Sequence, residues 1–195
     1  MIINYLDKIP SINEAFIFKT SVIIGDVTIG KDSNIWFGTV LRGDVNSIKI
    51  GERTNIQDNA TVHVTTALFP TVIGDEVTIG HNAVIHGSVI GDRVLIGMGA
   101  VLLDGCCIGK NSIIAANSVL RNGTQIPAGV LAAGNPATIK RAVTPDELAG
   151  LERSAANYVR YSSNYLTYSP DSIYSSDEIK AVVEKLRIEI LRSFK

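Results

Sequence analysis

A large aliphatic residue returns about every six positions along this chain, at Ile24, Ile29, Ile35, Leu41, Ile50, Ile56, Val62, Ile73, Ile79, Ile85, Ile90, Ile96, Leu102, Ile108, Ile114, Leu120 and Ile126. Four residues after these positions comes a small or β-branched residue, among them Thr28, Ser33, Ala60, Ala83, Val94, Ala100, Cys106, Ser112 and Ser118. A 3.6-residue helical period cannot keep such a repeat on one face, and a hairpin meander would carry turn signals at longer spacing. A coil of three short strands can. Each large aliphatic then points to the axis, the small residue fits near the corner, and stacked coils share hydrogen bonds at about 4.8 Å spacing.

Taken in threes, the register gives about six coils whose first sides begin at Ile24, Leu41, Val62, Ile85, Leu102 and Leu120, with Ile12 and Phe18 suggesting a partial starting coil. Every departure from the six-residue step falls between a first and a second side. Ile24 to Ile29 and Ile85 to Ile90 are one short, whereas Leu41 to Ile50 and Val62 to Ile73 are longer. Extra chain therefore projects along one edge of the prism and leaves the core intact.

The repeat stops after Gly134-Asn135-Pro136. Thr144-Pro145-Asp146-Glu147 has the composition of a helix start with a capping box, and Leu148, Leu151, Ala155, Tyr158, Ser162 and Tyr165 follow on one face, with Val159 and Leu166 beside it. Ser175 and Glu178 cap a second helix carrying Ile179, Val182, Val183, Leu186, Ile190 and Phe194. The expected organisation is a β-helix domain over 1–137 and a helical segment over 138–195, packed on the prism or on a neighbouring subunit. The polar face of the second helix mixes Glu and Lys, which argues against a membrane-surface role.

Composition narrows the picture further. A formal charge of −1 and a pI near 6.3 give no electrostatic case for nucleic acid or an anionic membrane. Cys106 and Cys107 are adjacent, a poor spacing for a disulfide, which suits a reducing compartment. The N-terminus lacks the basic start and apolar core of a signal peptide, and no window approaches the ~18 apolar residues of a membrane span. A cytoplasmic protein is the expectation.

The register also places the three histidines. His63 follows Val62 and His86 follows Ile85, so both take the same position on consecutive coils, with Arg42 one coil earlier in that column. They stand one strand spacing apart, within reach of one cation. His81 lies on the third side, directly over Asp58, and a rigid prism separates it from that pair by a corner. A neighbouring prism can bring its own His81 to the pair, which predicts a metal site between subunits of a cyclic trimer. Three neutral nitrogens leave a coordination position open, as catalytic zinc requires; Fe2+ or Co2+ would also fit.

Leu41-Arg42-Gly43-Asp44-Val45, Thr54-Asn55-Ile56-Gln57-Asp58, His63-Val64, Gly80-His81, His86-Gly87 and the helical Ser154–Arg160 segment together resemble the bacterial gamma-class carbonic anhydrase-like family. The resemblance runs from about Ile12 to Leu166. It implies a left-handed parallel β-helix, an exception to the usual right-handed crossover, and homotrimers with zinc between subunits. It implies further that His63, His81 and His86 hold the metal, that Gln57 hydrogen-bonds its activated water, and that Arg42 helps to place bicarbonate. Asp44 and Asp58 would fix Arg42 or tie subunits together. Tyr158, and less directly Tyr161, would reach the pocket from the helix, while Tyr165 reads as helix packing.

The activity so implied is reversible hydration of carbon dioxide by a zinc-dependent lyase. The loop Val64–Thr71 contains no acid to export protons, so low activity is expected. One alternative is an acyl-CoA transferase or thioesterase on the same prism, although no histidine is left free of the metal set to serve as base. The other is a weakly catalytic metal-binding assembly subunit, with Leu68 and Phe69 as contact residues.

Overall fold

A computed structural model describes residues 1–193, so Phe194, expected on the second helix, lies outside them. The first face of the prism carries Thr61–His63, Val84–His86, Val101–Leu102 and Val119–Leu120. The second carries Thr71–Ile73, Val89–Ile90, Cys107–Ile108 and Gln125–Ile126. Two long strands, Val22–Ile29 and Val40–Ile50, turn the corner and belong to both. The third face runs from Phe16–Ile17 through Asn34–Ile35, Asn55–Ile56, Thr78–Ile79, Leu95–Ile96 and Ile113–Ile114 to Val130–Gly134. These strands stack in parallel with their aliphatic residues in register, as Ile56, Ile79, Ile96 and Ile114 illustrate. The result is a left-handed parallel β-helix of about seven turns. Because each core position stacks on its own kind, a single column of Ile, Leu and Val fills the axis from end to end.

The corners depend on left-handed backbone. Asn59, Asn82 and Asn117 adopt φ values of 59°, 59° and 56° at one corner, and asparagine tolerates this region better than most side chains. Gly38, at φ 67° on the same corner, has no such freedom to carry a side chain, since a Cβ there would run into Asn59 Oδ1.

The structure corrects the register near its start. Ile23, not Ile24, stands opposite Leu41 and is fully buried, whereas Ile24 pairs with Arg42 in the outward column and is part-exposed. Two adjacent isoleucines satisfy the period equally well, and only the pairing with Val40–Ile50 selects between them. Val27 consequently fills the small position, and Thr28 is exposed. Similarly, Ile17 pairs with Ile35 on the axis, while Phe18 joins Trp36 in an aromatic cluster outside it.

The last coil closes by an antiparallel strand, Ala137–Ala142, so the chain over 138–142 is strand and helix α1 begins only at Pro145 (Pro145–Tyr168). Its capping box is formed by Thr144 and Glu147. Two hydrogen bonds from Arg141 and one from the Thr144 backbone N–H lower the Glu147 pKa to about 2. Leu151, Ala155 and Ser162 are the buried positions of α1, and Tyr165 packs edge-on against Phe18 at 5.1 Å. Helix α2 (Ser176–Ser193) sits over the first coils and buries Ile179 and Leu186 in the prism core cluster. No helix among the described residues is long and apolar enough to cross a membrane.

This register makes a direct stability prediction. Ile23→Ala should cost about 2–5 kcal/mol, as for other fully buried large-to-small changes, and Ile24→Ala less than half as much. Urea unfolding of the two variants measures it; equal losses would contradict the register.

Candidate metal centre

Strands Thr61–His63 and Val84–His86 pair residue for residue, so His63 stands directly opposite His86. Their rings meet at 5.0 Å between centroids, and His63 Nδ1 lies 3.1 Å from His86 Nε2. Each ring's other nitrogen is held by a carboxylate. Asp44 Oδ1 is 3.0 Å from His63 Nε2, and Asp104 Oδ1 is 2.7 Å from His86 Nδ1. Asp44 also pairs with Arg42, whose Nη2 is 3.3 Å from His63 Nδ1. Burial raises the Asp44 pKa, but hydrogen bonds from His63 and Arg42, with the charge of Arg42, outweigh it and leave the carboxyl below its usual range.

These partners assign the protons. A neutral imidazole carries one N–H, and a carboxylate acceptor fixes it on the facing nitrogen. His63 Nδ1 and His86 Nε2 are then both unprotonated and repel one another across 3.1 Å, with the Arg42 Nη2 N–H, at 3.3 Å, donating to His63 Nδ1. A cation between them relieves that repulsion. Two nitrogens on one tetrahedral zinc, each at ~2.0–2.1 Å, stand about 3.3 Å apart, so the pair is nearly spaced for such an ion. The donors fit a borderline divalent metal.

His81 lies elsewhere on the same chain. Its Nδ1 pairs with Asp58 Oδ2 at 2.8 Å, and both line a cleft of about 350 Å³ with Trp36, Tyr158, Tyr161, Asn164 and Tyr165. Asp58 thus holds His81 and not Arg42. Tyr158 packs edge-on against Trp36 at 5.5 Å. Burial, with the nearby charge of Asp58, raises its phenol pKa. Gln57 is buried beneath α1, where its Nε2 donates to Asn55 Oδ1 at 3.1 Å, and it lines a second groove with Gly80 and Tyr158. Arg42, Asp44, His63 and His86 are therefore brought together, while Gln57, Asp58, His81 and Tyr158 form a separate group around α1. Among the described residues of one chain, no three His, Cys, Asp or Glu side chains converge on a common metal position.

Sequence reasoning missed Asp104, Thr65 and Trp36. Thr65 Oγ1 lies 3.0 Å from each Asp104 oxygen. The available signal was positional: Asp104 comes two residues after Leu102, at the edge where the neighbouring coil ends in His86 and Gly87.

A model of bacterial transferase hexapeptide repeats (six repeats) matches residues 70–102 and 87–122. Gamma carbonic anhydrase 1, mitochondrial, of Arabidopsis thaliana is 48% identical over 163 residues, covering 80% of this chain and 59% of that protein. This chain therefore spans less than two thirds of that relative. Gamma carbonic anhydrase 2, mitochondrial, of the same plant is 42% identical over 190 residues, covering 94% of this chain and 68% of that protein. A solved structure of a putative acetyltransferase from Bacillus cereus is similar with a TM-score of 0.83 and 40% identity, covering 86% of this chain and 97% of that chain.

Trp36 is the only tryptophan of the chain and shares its cleft with His81. Cobalt(II) held by His81 should quench its emission, and His81→Ala should abolish the quenching. Unchanged emission at full metal loading would place the ion away from that cleft.

Proposed function

This chain belongs to the gamma-class carbonic anhydrase-like family of hexapeptide-repeat proteins, and we propose that it is a zinc-dependent lyase that hydrates carbon dioxide reversibly to bicarbonate at the interfaces of a homotrimer. The observation that carries the reading is the His63–His86 pair, whose lone pairs face each other at 3.1 Å with a carboxylate behind each ring. The pair offers two ligands, and the third, His81, is held by Asp58 on another side of the prism. In a cyclic trimer the pair of one protomer receives the His81 of the next. Homologues named carbonic anhydrase imply a metal of this class.

A divalent metal with an open position supplies a nucleophilic water at neutral pH. The protein's own groups do the rest. Asp44 and Asp104 keep the distal protons of His63 and His86, which leaves both facing nitrogens unprotonated, so that a metal would displace only the Arg42 N–H from His63 Nδ1. Arg42 sets a guanidinium beside His63, where an anionic product gains most from it. Tyr158 lines the His81 cleft, and Gln57, in the adjoining groove, is the amide that would orient the attacking water were the metal bound. Proton export is the weak step. The Val64–Thr71 loop carries no acid, and Thr65 is already engaged with Asp104. In this assembly the helical segment, described to residue 193, braces the β-helix domain 1–137. The two free cysteines support a reducing, cytoplasmic location.

The likeness to a putative acetyltransferase favours a second reading, thioester chemistry on the same prism. Each histidine already has a carboxylate partner and none stands apart as a base, so thioester hydrolysis by the metal-activated water suits the site better than acyl transfer.

Metal analysis, carbon dioxide hydration and thioesterase assays on one sample separate these readings. Near-stoichiometric metal, lost in His63→Ala and in His86→Ala, is expected, together with hydration that rises with added imidazole. Glutamate at exposed Thr66 should lessen the dependence on that buffer. Full metal in either histidine variant overturns the site.

Co-refolding tests the shared site. His63→Ala and His81→Ala homotrimers should each be inactive. Any mixed ring contains one interface with an intact pair facing an intact His81, so about one site in three should regain metal. Well-formed mixed trimers that bind none would place the site within one chain.

A further inference from the structure

Thr65, in the loop between Thr61–His63 and Thr71–Ile73, is tied at several points. Its backbone N–H donates to Phe69 O at 3.0 Å, its carbonyl accepts from Asn46 Nδ2 at 3.0 Å, and its hydroxyl shares one proton between the Asp104 oxygens. Asp104 in turn meets His86 Nδ1 at 2.7 Å. The glycines around this contact are obligatory. Gly87 has φ 53°, and a Cβ on it would collide with Asp104 Oδ1 and stand 2.7 Å from Phe69 Cβ. The Phe69 ring also lies against Gly105, whose Cβ would meet its Cε1 at 3.2 Å. Phe69 therefore lies against Gly87 and Gly105, the neighbours in sequence of His86 and Asp104.

We propose that Asp104, clasped by Thr65, is a positioning residue for the metal site: it holds the His86 proton on Nδ1 and so presents Nε2 to the position facing His63. The proposal rests on the metal reading above and gives the acid-free loop a role other than proton transfer. Free neutral imidazole prefers the opposite tautomer, and among the described residues Asp104 is the side chain that accepts from His86 Nδ1. Without the carboxylate, a metal would have to bind a ring that is protonated on the wrong nitrogen and free to turn, which weakens the site. Partners of metal-bound histidines of this kind typically contribute about 10- to 100-fold in affinity. Thr65 acts one contact further out by preventing the carboxylate from rotating away.

The test uses the metal-free full chain and its zinc titration together. Nitrogen NMR of ¹⁵N-histidine-labelled protein should find His86 as the Nδ1–H tautomer in the wild type, shifting toward Nε2–H in Asp104→Ala. Asp104→Asn, whose amide oxygen still accepts, should retain most of the Nδ1–H form. Zinc dissociation constants should rise about 10- to 100-fold in Asp104→Ala and less in Asp104→Asn. They should rise measurably in Thr65→Val and return to the wild-type value in Thr65→Ser. A loss of packing alone would leave the tautomer unmoved and would not be rescued by serine. An unmoved tautomer or an unchanged zinc affinity in folded Asp104→Ala overturns the positioning role. A wild-type protein that binds no zinc yet keeps His86 locked overturns the metal reading instead, so the two failures are distinct.

Discussion

The structure depends on one constraint, the stacking of identical coils at a single strand spacing with no slip between them. A parallel ladder carries each core residue onto its counterpart in the next coil, and it carries the outward neighbour along with it. The core column of Ile, Leu and Val therefore has a consequence outside the core. Because Val62 stacks on Ile85 along the axis, His63 must stack on His86 outside it. Two histidines from different coils are thus brought face to face without a special loop, by a prism whose register cannot shift.

Register alone supplies two rings but not their protons. Each histidine gains its orientation from a carboxylate placed by a different device. Asp44 comes from the long strand that turns the first corner, Asp58 from the coil below His81, and Asp104 from the turn beyond Leu102. The corner edge, where the repeat tolerates extra residues, is thus where Asp44, Thr65 and Asp104 gather. Irregularity in the repeat and these carboxylates occupy the same edge for the same reason: chain that leaves the prism there costs the core nothing.

Helix α1 packs against the outer surface of the third face. Phe18 and Trp36 stack at 4.4 Å outside the core, and Tyr158 and Tyr165 close on them edge-on. Below them Thr78 Oγ1 lies 3.0 Å from Ser154 Oγ, and Asn55 donates to Thr78 at 2.9 Å. No buried side-chain N or O among the described residues lacks a partner. Trp36, Tyr158 and Tyr165 from this packing line the cleft that holds His81.

The period of six, the three-sided coil, the bulging edge, both helices and their caps were legible in the sequence, because each follows from local spacing and side-chain chemistry. So was the column of Arg42, His63 and His86, since stacking turns sequence spacing into proximity. Local pattern could not choose between Ile23 and Ile24, nor between Ile17 and Phe18, because adjacent apolar residues satisfy a period equally and only strand pairing and the docking of α1 separate inside from outside. Nor could it find Asp104 and Thr65. Their meeting across 39 positions depends on how far a loop folds back along the edge, a distance that no repeat encodes and that closure of the chain alone decides.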